Sequence, residues 1–409
     1  MIHTSYWRPR VYPYLKDVAP TQIDRLQDLT AASTLTREKI REIGRDGIVD
    51  WRKRIPSTRL TLRQFEYGDI EFWRKLANVT NATNSITLSD FKTSMVDIVG
   101  YKTDDDGTFL GSVWYPKFRV AGWGLNIGDP QASIERTFDL IGEDENLLEY
   151  NNKYFIYKRF DASGGSPEEF SVTDPVPSAD PDNSGQYLFR VLRVNISDNS
   201  TDELTYTTDT PTGDEYAFSA PSTLTVPTSA GDVIKVYYSA SSYISGQEVF
   251  TNNDIDAGVL LAEAASIYLY QASNNYVYKL QSIGVDVTFD RTDYYEIGNR
   301  EVIQRGVREK TVRITLGRIL EAYTIEEVLR GVDSTFGRIS TREYRDDLIL
   351  RVKLYGNYLK NTFNIGYRFA DLSPTDLGHG VPLNDYSTRN VTLQGEDCTI
   401  SIDDTVIDA

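Results

Sequence analysis

Two histidines limit the acid–base chemistry that this chain of 409 residues could perform. A Ser-His-Asp or Cys-His arrangement would need His3 or His379, because no other imidazole is present to take up and release a proton. His379 lies between two glycines, and no nucleophile-elbow sequence surrounds it. We therefore interpret His379 as a surface-loop residue and predict no catalytic residues.

Two motifs resemble ligand sites only superficially. Residues 104–107 read Asp-Asp-Asp-Gly, but no Glu closes a calcium loop at the required distance, so a turn is predicted. Residues 122–128 contain three glycines that miss the dinucleotide-binding spacing by one residue. The single cysteine, Cys398, excludes an intrachain disulfide and zinc sites with two thiolates, and it is interpreted as a small buried hydrophobe. No metal and no cofactor are predicted.

Paired carboxylates leave one enzymatic interpretation open. The chain has 60 Asp and Glu residues, which create many chance pairs. A glycosidase needs only two carboxyl groups, at a geometry that sequence does not fix. An enzyme that degrades polysaccharides therefore remains an alternative.

The charge is unevenly distributed along the chain. The net charge is −17, yet residues 1–75 hold 15 basic and 10 acidic residues, so the negative excess lies after them. An acidic protein of this kind does not fit a reader of duplex DNA, which places clustered Lys and Arg on phosphates. A hydrophobic content of 40% predicts a folded chain, and the length predicts two or three domains.

No apolar stretch is long enough to span a bilayer, and the start of the sequence lacks a signal-peptide pattern. We therefore expect a soluble protein that is not exported by a Sec-type signal. Synthesis in a reducing cytoplasm fits the single cysteine.

The N-terminal residues combine aromatic and basic side chains without a helix or strand period. We interpret residues 1–33 as an extended arm, because such side chains are enriched where one protein grips another. A tether onto the subunit's own surface is the alternative. The candidate inter-subunit contacts in the arm are Tyr6, Trp7, Arg8, Arg10, Tyr12 and Tyr14. Because the arm has few features of a core element, its deletion is predicted to leave a folded body but to weaken contacts between copies.

A second basic segment follows a predicted short helix. Residues 34–44 begin with cap residues, continue as a charged run and end in glycine, which is typical of a helix. The remaining candidate contacts lie just beyond it and are Trp51, Arg52, Lys53 and Arg54. A charge run is usually a solvated face, but this one could also contact the acidic body of a neighbouring copy.

Most of the remaining pattern has a period of two, which predicts strands. Ile134, Phe138 and Leu140 alternate with polar residues, and residues 312–316 and 348–354 also show one-sided alternation. Together these segments predict a mainly β fold.

Residues 161–250 differ in composition from their surroundings. They are rich in Ser, Thr, Asp and Pro, and they open with the linker-like residues 162–166. Short apolar runs at 187–191 and 233–238 are separated by turn residues. This pattern predicts a β-sandwich of about 90 residues inserted into the main fold.

The last part of the chain predicts one long strand and one clear helix. Residues 276–290 form a strand candidate whose alternation changes face near 280–283, so a bulge or break is the competing interpretation. Residues 324–331 combine an N-cap threonine with an apolar face and a terminal glycine, and should pack against the sheet. A faint echo between residues 124–127 and 284–287 is too weak to predict a duplication.

Several of these segments resemble those of phage tail tube proteins. The resemblance rests on four stretches: residues 36–73, 134–143, 282–298 and 324–331. It covers residues 34–160 and 265–355 best. The inserted residues 161–250 resemble the Ig-like decoration often found in such proteins.

The resemblance implies a mainly β fold, with a tail-tube-like β-barrel or sandwich, a short flanking helix, an inserted Ig-like β-sandwich and an extended N-terminal arm. It implies a virion structural protein that forms homohexameric rings of six copies. The rings stack into a hollow tail tube for DNA ejection. The implied partners are further copies, other tail proteins and, transiently and without specificity, phage DNA, with no membrane partner. The implied location is the virion tail, after synthesis in the host cytoplasm.

The resemblance also implies a division of the chain. An N-terminal arm with a short helix occupies residues 1–79, and the tube domain is split into residues 80–160 and 251–409 around the insert at 161–250. From the negative excess after residue 75 we expect acidic side chains to line such a channel, where they would repel phosphates and let DNA slide. The alternative is that the acidic residues lie mainly on the insert and the outer surface. Unpaired strand edges would be covered by neighbouring copies within a ring.

Other classes of protein stay open beside the tail tube. A baseplate or hub protein and a capsid decoration protein share its β-rich composition. The polysaccharide-degrading tail protein is an enzymatic alternative. A cell-surface adhesion module would be a monomer with repeated sandwich modules, whereas the sequence indicates one insert.

Overall fold

The computed structural model describes most of the chain. The described residues are 6–14, 16–34, 37–40, 50–53, 57–79, 83–103, 109–129, 131–142, 144–148, 154–179, 187–195, 197–198, 200–242, 258–271, 273–276, 280–295, 302–319, 329, 345–380 and 388–409. Strands dominate these residues, which confirms the predicted mainly β class.

The described elements fall into three parts along the chain. The first part contains β1 (Tyr6–Pro13), β2 (Thr21–Gln22), β3 (Leu26–Thr34), β4 (Arg37–Ile40), β5 (Asp50–Lys53), β6 (Ser57–Phe65), α1 (Glu71–Ala77), β7 (Ser85–Thr87), β8 (Val96–Thr103), β9 (Phe109–Ile127), β10 (Glu135–Gly142) and β11 (Asn146–Leu147). The second part contains β12 (Tyr154–Asp161), β13 (Glu168–Ser171), β14 (Leu188–Asn195), β15 (Ser200–Glu203), β16 (Thr205–Tyr206), β17 (Glu215–Ser219), β18 (Thr223–Val226) and β19 (Val233–Ala240).

The third part contains β20 (Ala265–Gln271), β21 (Ser273–Tyr276), β22 (Leu280–Tyr295), β23 (Val302–Ile319), β24 (Leu348–Tyr355), β25 (Phe363–Gly380), β26 (Thr388–Gly395), β27 (Asp397–Ser401) and α2 (Asp404–Asp408). Short 3-10 turns at Leu88–Phe91 and Ala262–Ala264 complete the described elements.

An eight-stranded antiparallel sheet, the central sheet, runs through the first and third parts. Its strand order is β3-β6-β10-β9-β22-β23-β26-β25. The alternation in β6 shows why one face turns inward, because Leu60 and Leu62 are buried while Arg59 and Arg63 are exposed. The central sheet is open rather than closed into a barrel.

Two smaller sheets, the side sheets, cover the apolar face of the central sheet. The first has the order β2-β1-β8-β9-β11, and the second has the order β21-β20-β24-β25-β27-β7. The long strands β9 and β25 belong to both layers. They bend where Lys117 and Asp371 adopt left-handed backbone conformations, with φ of 56° and 52°. The architecture is a sandwich, which confirms the sandwich form of the prediction.

Helix α1 fills the space between the layers. Phe72, Trp73 and Leu76 are buried, and the helix ends where Asn78 adopts the left-handed conformation. The Trp73 ring centroid lies 4.8 Å from that of Phe138 and 5.0 Å from that of Trp123. Aromatic edge-to-face packing therefore fixes the helix against the central sheet.

The first and third parts are built on the same plan, and we call them the first and second unit. Each unit contributes four strands to the central sheet. If these are numbered one to four along the chain, their order across the sheet is one, two, four, three in both units. The side sheets also correspond strand by strand. The order β2-β1-β8-β9-β11 in the first matches the order β21-β20-β24-β25-β27 in the second.

Irregularities recur at equivalent positions in the two units. Register shifts occur between Leu26 and Asp28 in β3 and between Leu280 and Ser282 in β22. The bend at Asp371 follows the bend at Lys117 by the same number of residues as the shift at Leu280 follows the shift at Leu26. The offset between the two units is therefore constant at these positions. Because bulges and left-handed bends are specific features, their repetition indicates a tandem duplication.

Close packing recurs as well. A Cβ added to Gly142 would lie 2.4 Å from the Phe118 ring, and one added to Gly395 would lie 2.8 Å from Leu372. Phe118 and Leu372 are equivalent in β9 and β25. Both units therefore need glycine where β10 and β26 end.

The topology aligns the two units differently from the weak similarity between residues 124–127 and 284–287. That echo aligns residues 124–127 with 284–287, which would equate β9 with β22. The topology equates β22 with β3 and β9 with β25. The echo instead marks two neighbouring strands, because β9 and β22 pair directly in the central sheet.

The second part forms a sandwich of two four-stranded sheets, ordered β12-β19-β14-β15 and β13-β18-β17-β16. Their facing side chains, including Ile156, Leu224 and Val236, share one apolar cluster. This sandwich covers most of residues 161–250, where an inserted β-sandwich was predicted, but its first strand begins at Tyr154 instead of after residue 160. The reason is that β12 pairs with β19 along its whole length.

Two segments differ from the sequence predictions. The helix predicted at residues 34–44 is wrong, because β4 lies within it and pairs with β5 as a hairpin. Of the helix predicted at 324–331, only Leu329 lies within the described residues, where it is helical and buried. The long strand predicted at 276–290 runs from Leu280 to Tyr295 with bulges, as its competing interpretation allowed.

The N-terminal arm prediction is wrong for its described residues. β1 pairs with β8 over eight residue pairs, and β3 pairs with β6 in the central sheet. Val11 contributes to the main core, while Tyr12 on the opposite face contacts the cluster that holds the second part. A strand buried on both faces shows no polar alternation, which explains why the sequence did not indicate it.

Candidate assembly interface

Two strand edges of the central sheet are unpaired among the described residues. β3 pairs only with β6, and the final segment of β25, residues 373–380, pairs only with β26. β3 is largely exposed along its length. Because unpaired backbone groups at an edge invite another strand, these edges are candidates for contact between chains.

Each unit also carries a projecting two-stranded ribbon. In the first unit it is β4–β5, whose strands pair with no other described strand. In the second unit β22 pairs with β9 only up to Thr288, and β23 pairs with β26 only from Val312. Among the described residues, the tip of this hairpin therefore pairs only with itself. Arg37 pairs with Lys53 in the first ribbon, and the equivalent residues Arg291 and Val307 pair in the second, so the two ribbons are equivalent.

The ten inter-subunit contacts predicted from the sequence lie in different places in the structure. Trp51, Arg52 and Lys53 lie on β5 of the first ribbon, and Arg54 lies outside the described residues. Tyr6, Trp7 and Arg8 lie on β1, and their side chains are outside the description.

The other three candidates lie within the chain's own fold. Tyr12 and Tyr14 are buried, so their prediction as inter-subunit contacts is wrong. The Arg10 guanidinium lies 5.8 Å from the centre of the Tyr101 ring. This supports the alternative of attachment to the subunit's own surface.

Tyr14 is part of the joint that holds the insert on the first unit. A buried ion pair joins Asp97 of β8 to Arg190 of β14 at 2.7 Å. The Arg190 guanidinium is stacked among the rings of Tyr14, Trp114 and Tyr237 at 5.0–5.7 Å. Such a pair is costly to break because one charge would remain buried alone, so it holds the insert in a defined place.

Lys235 makes the same joint dependent on pH. Its Nζ donates to the Pro13 carbonyl at 3.2 Å and also to the Lys16 carbonyl. Burial lowers its pKa to about 8, although the nearby carboxylates of Asp17 and Asp97 oppose this shift. Lysine in an unfolded chain titrates near 10.4.

We expect the free energy of unfolding to rise between pH 8 and 9.5, by roughly 1 kcal/mol per pH unit. In this window the unfolded chain holds a proton that folded Lys235 has released, so raising the pH favours the folded state. Urea unfolding at several pH values measures the slope. Lys235→Met should flatten it, and an equal slope in both proteins would contradict the assignment.

The exposed face of the central sheet is polar and moderately acidic. Its described acidic residues include Asp28, Glu135, Asp139, Asp286 and Asp376, and its described basic residues include Arg59, Arg63, Arg119 and Arg313. Arg63 contacts Glu135 at 2.5 Å, and Thr61 donates to Asp139 at 2.7 Å. Burial and the nearby Asp139 raise the pKa of Asp286.

A buried polar cluster lies where the two units meet. Arg136 of β10 contacts Glu66 at 3.0 Å with both side chains fully buried, and it donates to Gln64 at 2.9 Å. Tyr367 of the second unit donates its hydroxyl to Glu66 at 2.6 Å. The junction within the chain is thus held by a hydrogen bond as well as by the pairing of β9 with β22 and of β7 with β27.

The residues considered for chemistry do not form a reactive site in the described structure. No three His, Cys, Asp or Glu side chains within it come together to hold a metal ion. Cys398 is buried in β27, and burial raises the pKa of its thiol well above the usual value. His379 lies on β25 and not in a loop, and its side chain is outside the description. No helix in the described part is long and apolar enough to cross a membrane.

Sequence reasoning missed the duplication that generates these edges. A usable signal was present, because Arg59, Thr61 and Leu62 of β6 recur as Arg313, Thr315 and Leu316 of β23. The insert separates the two copies, and few other residues are identical. The edges themselves follow from the pairing and leave no local signal.

The fold defines the class as a mainly β protein of sandwich architecture with few helices. No protein-family model matches the chain, and no curated protein matches it.

Two solved structures show limited similarity to the chain. One is described as the cryo-EM structure of the anti-feeding prophage (AFP) baseplate, 6-fold symmetrised, with 14% identity, a TM-score of 0.26 and coverage of 35% of this chain and 91% of that chain. The other is the anti-feeding prophage cap (AFP tube terminating cap), with 15% identity, a TM-score of 0.28 and coverage of 38% and 99%. Both TM-scores are below 0.5.

Proposed function

We propose that the chain is a structural subunit of a phage tail tube, in which copies join into rings and rings stack into a channel for DNA ejection. The observation that carries this proposal is the open central sheet, made of two equivalent four-stranded units. At each end of this sheet lies an edge that is unpaired within the described part of the chain. An assembly protein of this kind needs no catalytic site, metal or cofactor.

Lateral assembly follows from the way the units already join. Two units in one chain are placed side by side with their strands in the same direction, because each contributes four antiparallel strands. A contact of this kind is heterologous, and when repeated it forms a ring or an open array. The ring form matches the resemblance to tail tube proteins.

The duplication changes the expected number of chains. The resemblance implies six copies in each ring, for subunits with one tube unit each. Because this chain contains two units, three chains would supply the same number of units. We therefore propose a ring of three chains with approximate sixfold symmetry.

The ribbons are the proposed contacts between stacked rings. They project beyond the strands that pair with the rest of the sheet. The first ribbon carries Arg52 and Lys53, and all of the chain's negative excess lies outside the first 75 residues. Opposite charges on adjoining rings would attract and set their orientation.

The exposed face of the central sheet is the proposed channel wall. Its acidic residues outnumber its basic residues, which disfavours tight binding of DNA phosphates. Small residues there, including Gly124, Gly284 and Thr315, leave the wall smooth. A reconstruction with this face outside the channel, or with a basic wall, would remove the proposed role in DNA sliding.

Electron microscopy of the purified full chain tests the function. We expect hollow tubes or rings, with three chains per ring in native mass measurements. Only monomers at every concentration and salt condition would contradict the proposal, and so would solid fibres without a channel.

A further inference from the structure

We propose that the junction between the two units within the chain is the template for the junction between chains. The final segment of β25 in one copy pairs antiparallel with β3 of a second copy, as β9 pairs with β22. The inference rests on the proposed function and specifies the partner, the edges and the register. Its pairs are Thr30 with Gly380, Ala31 with His379, Ala32 with Gly378 and Ser33 with Leu377.

The junction within the chain supplies the geometry. β9 and β22 pair in the register Ile127 to Ile283, Leu125 to Val285 and Trp123 to Val287. All six of these side chains are buried in the main core. The join is therefore both a backbone ladder and a continuous apolar layer.

The equivalence of the two units gives the corresponding register for the free edges. β22 corresponds to β3, so Val285 and Val287 correspond to Ala31 and Ser33. β9 corresponds to β25 with matching bulges, so Trp123 corresponds to Leu377. Val287 pairs with Trp123 in the chain, and the equivalent pair between chains is Ser33 with Leu377.

The core-facing residues at these edges are incompletely covered in a single chain. Leu29, Ala31 and Leu377 are only partly buried and pack against the margins of the main core. Their equivalents Ile283, Val285 and Trp123 are buried. Pairing of a second copy would complete the apolar layer at both ends.

A separate observation on the side sheets points to the same partner. Ile400 of β27 is 1% exposed, because β27 pairs with β7 of the other unit. Its equivalent in the first unit is Leu147 of β11, since β11 pairs with β9 as β27 pairs with β25. Leu147 is 65% exposed. An apolar side chain that the internal junction buries is left open where the junction between chains would form.

One residue difference between the equivalent strands β9 and β25 determines where the pairing between chains ends. A Cβ added to Gly122 would lie 2.7 Å from the Val287 carbonyl oxygen, so the internal junction requires glycine there. The equivalent residue of β25 is Asp376. The two strands therefore separate after Ser33 and Leu377, whereas Gly378 retains the glycine found at Gly124.

Disulfide trapping in the full chain tests the register. Directly paired residues of antiparallel strands have Cα atoms about 4.5–5.5 Å apart, which suits a disulfide. The Ser33→Cys/Leu377→Cys variant should form reducible multimers in non-reducing electrophoresis after oxidation of assembled particles. Each single variant should not form the same ladder. The buried Cys398, with its raised thiol pKa, should not compete.

The matched control shifts the pair by two residues on the same face. Ala31→Cys/Leu377→Cys places the cysteines diagonally, at about 7–8 Å, and should form at least tenfold less multimer. Equal or stronger crosslinking in the control would overturn the register. No crosslinking in either variant would overturn the edge pairing.

Microscopy of the same samples separates the inference from the proposed function. Hollow tubes without the Ser33–Leu377 crosslink would overturn the pairing and leave the tube function. The crosslink in particles that never form rings or tubes would support the pairing and overturn the tube function. Both results together would support both proposals.

Leu147→Asp tests the side-sheet contact without altering a buried residue. We expect the concentration needed for assembly to rise at least about tenfold, with unchanged thermal unfolding of the monomer. Leu359→Asp is the matched control, because Leu359 is 64% exposed and lies outside the proposed junction. Equal effects of both substitutions, or no effect of Leu147→Asp, would overturn this contact.

Discussion

Deletion of residues 1–33 is expected to unfold the first unit rather than to release a dispensable arm. The segment contains five buried apolar or aromatic side chains: Val11, Tyr12, Tyr14, Val18 and Ile23. Burial of such side chains contributes about 1.5–3 kcal/mol each, and a whole domain is stable by only about 5–15 kcal/mol. The loss of β1 and most of β3 also leaves β8 and β6 unpaired on one side.

Circular dichroism and hydrogen exchange of the truncated chain measure this effect. We expect loss of cooperative unfolding and rapid exchange in β6 and β8. Deletion of residues 1–5 is the control, because it removes none of the described strands. A truncated protein that unfolds cooperatively at the temperature of the full chain would contradict the placement of β1 and β3.

Arg136→Met is expected to lower the free energy of unfolding by about 3–5 kcal/mol. The substitution removes the guanidinium that lies 3.0 Å from Glu66 and leaves that carboxylate fully buried. Arg136 also lies within 6 Å of four aromatic ring centres, so its removal disturbs the packing around α1. Urea unfolding measures the loss.

Two further variants give the control. Arg63→Met changes an exposed arginine that pairs with Glu135 on the opposite face, and it should cost less than about 1 kcal/mol. Glu66→Gln combined with Arg136→Met should be more stable than Arg136→Met alone, because no carboxylate is left without its partner. Equal costs for Arg63→Met and Arg136→Met would show that the buried pair is not special.

Strands with one buried face were predictable from the sequence. The alternation at Ile134, Phe138 and Leu140 corresponds to β10 and its approach, and the runs at 312–316 and 348–354 lie in β23 and β24. Runs at 187–191 and 233–238 lie in or beside β14 and β19 of the insert. These segments keep polar residues on one side or form short apolar runs between turns, and both patterns are local.

Segments that lack such a pattern were predicted wrongly. β1 is covered on both faces, so its residues show no alternation. β4 belongs to a ribbon that pairs with no other described strand, and its charged residues gave the pattern of a solvated helix. In both cases long-range contacts decide the structure and override local propensity.

The candidate interface was predictable only as a general need for partner copies. The choice of β3 and β25 depends on pairing between residues far apart in sequence, which one sequence does not reveal. Leu147 looks ordinary until its equivalence with Ile400 is known. The duplication therefore carries information that neither unit carries alone.

A cryo-EM reconstruction of the assembled full chain tests the central claim most directly. We predict an unbroken antiparallel wall in which each chain contributes eight strands, with β25 of one copy beside β3 of the next and Leu147 covered. An assembled particle in which β3 faces solvent, or a particle joined through other surfaces, would contradict the account.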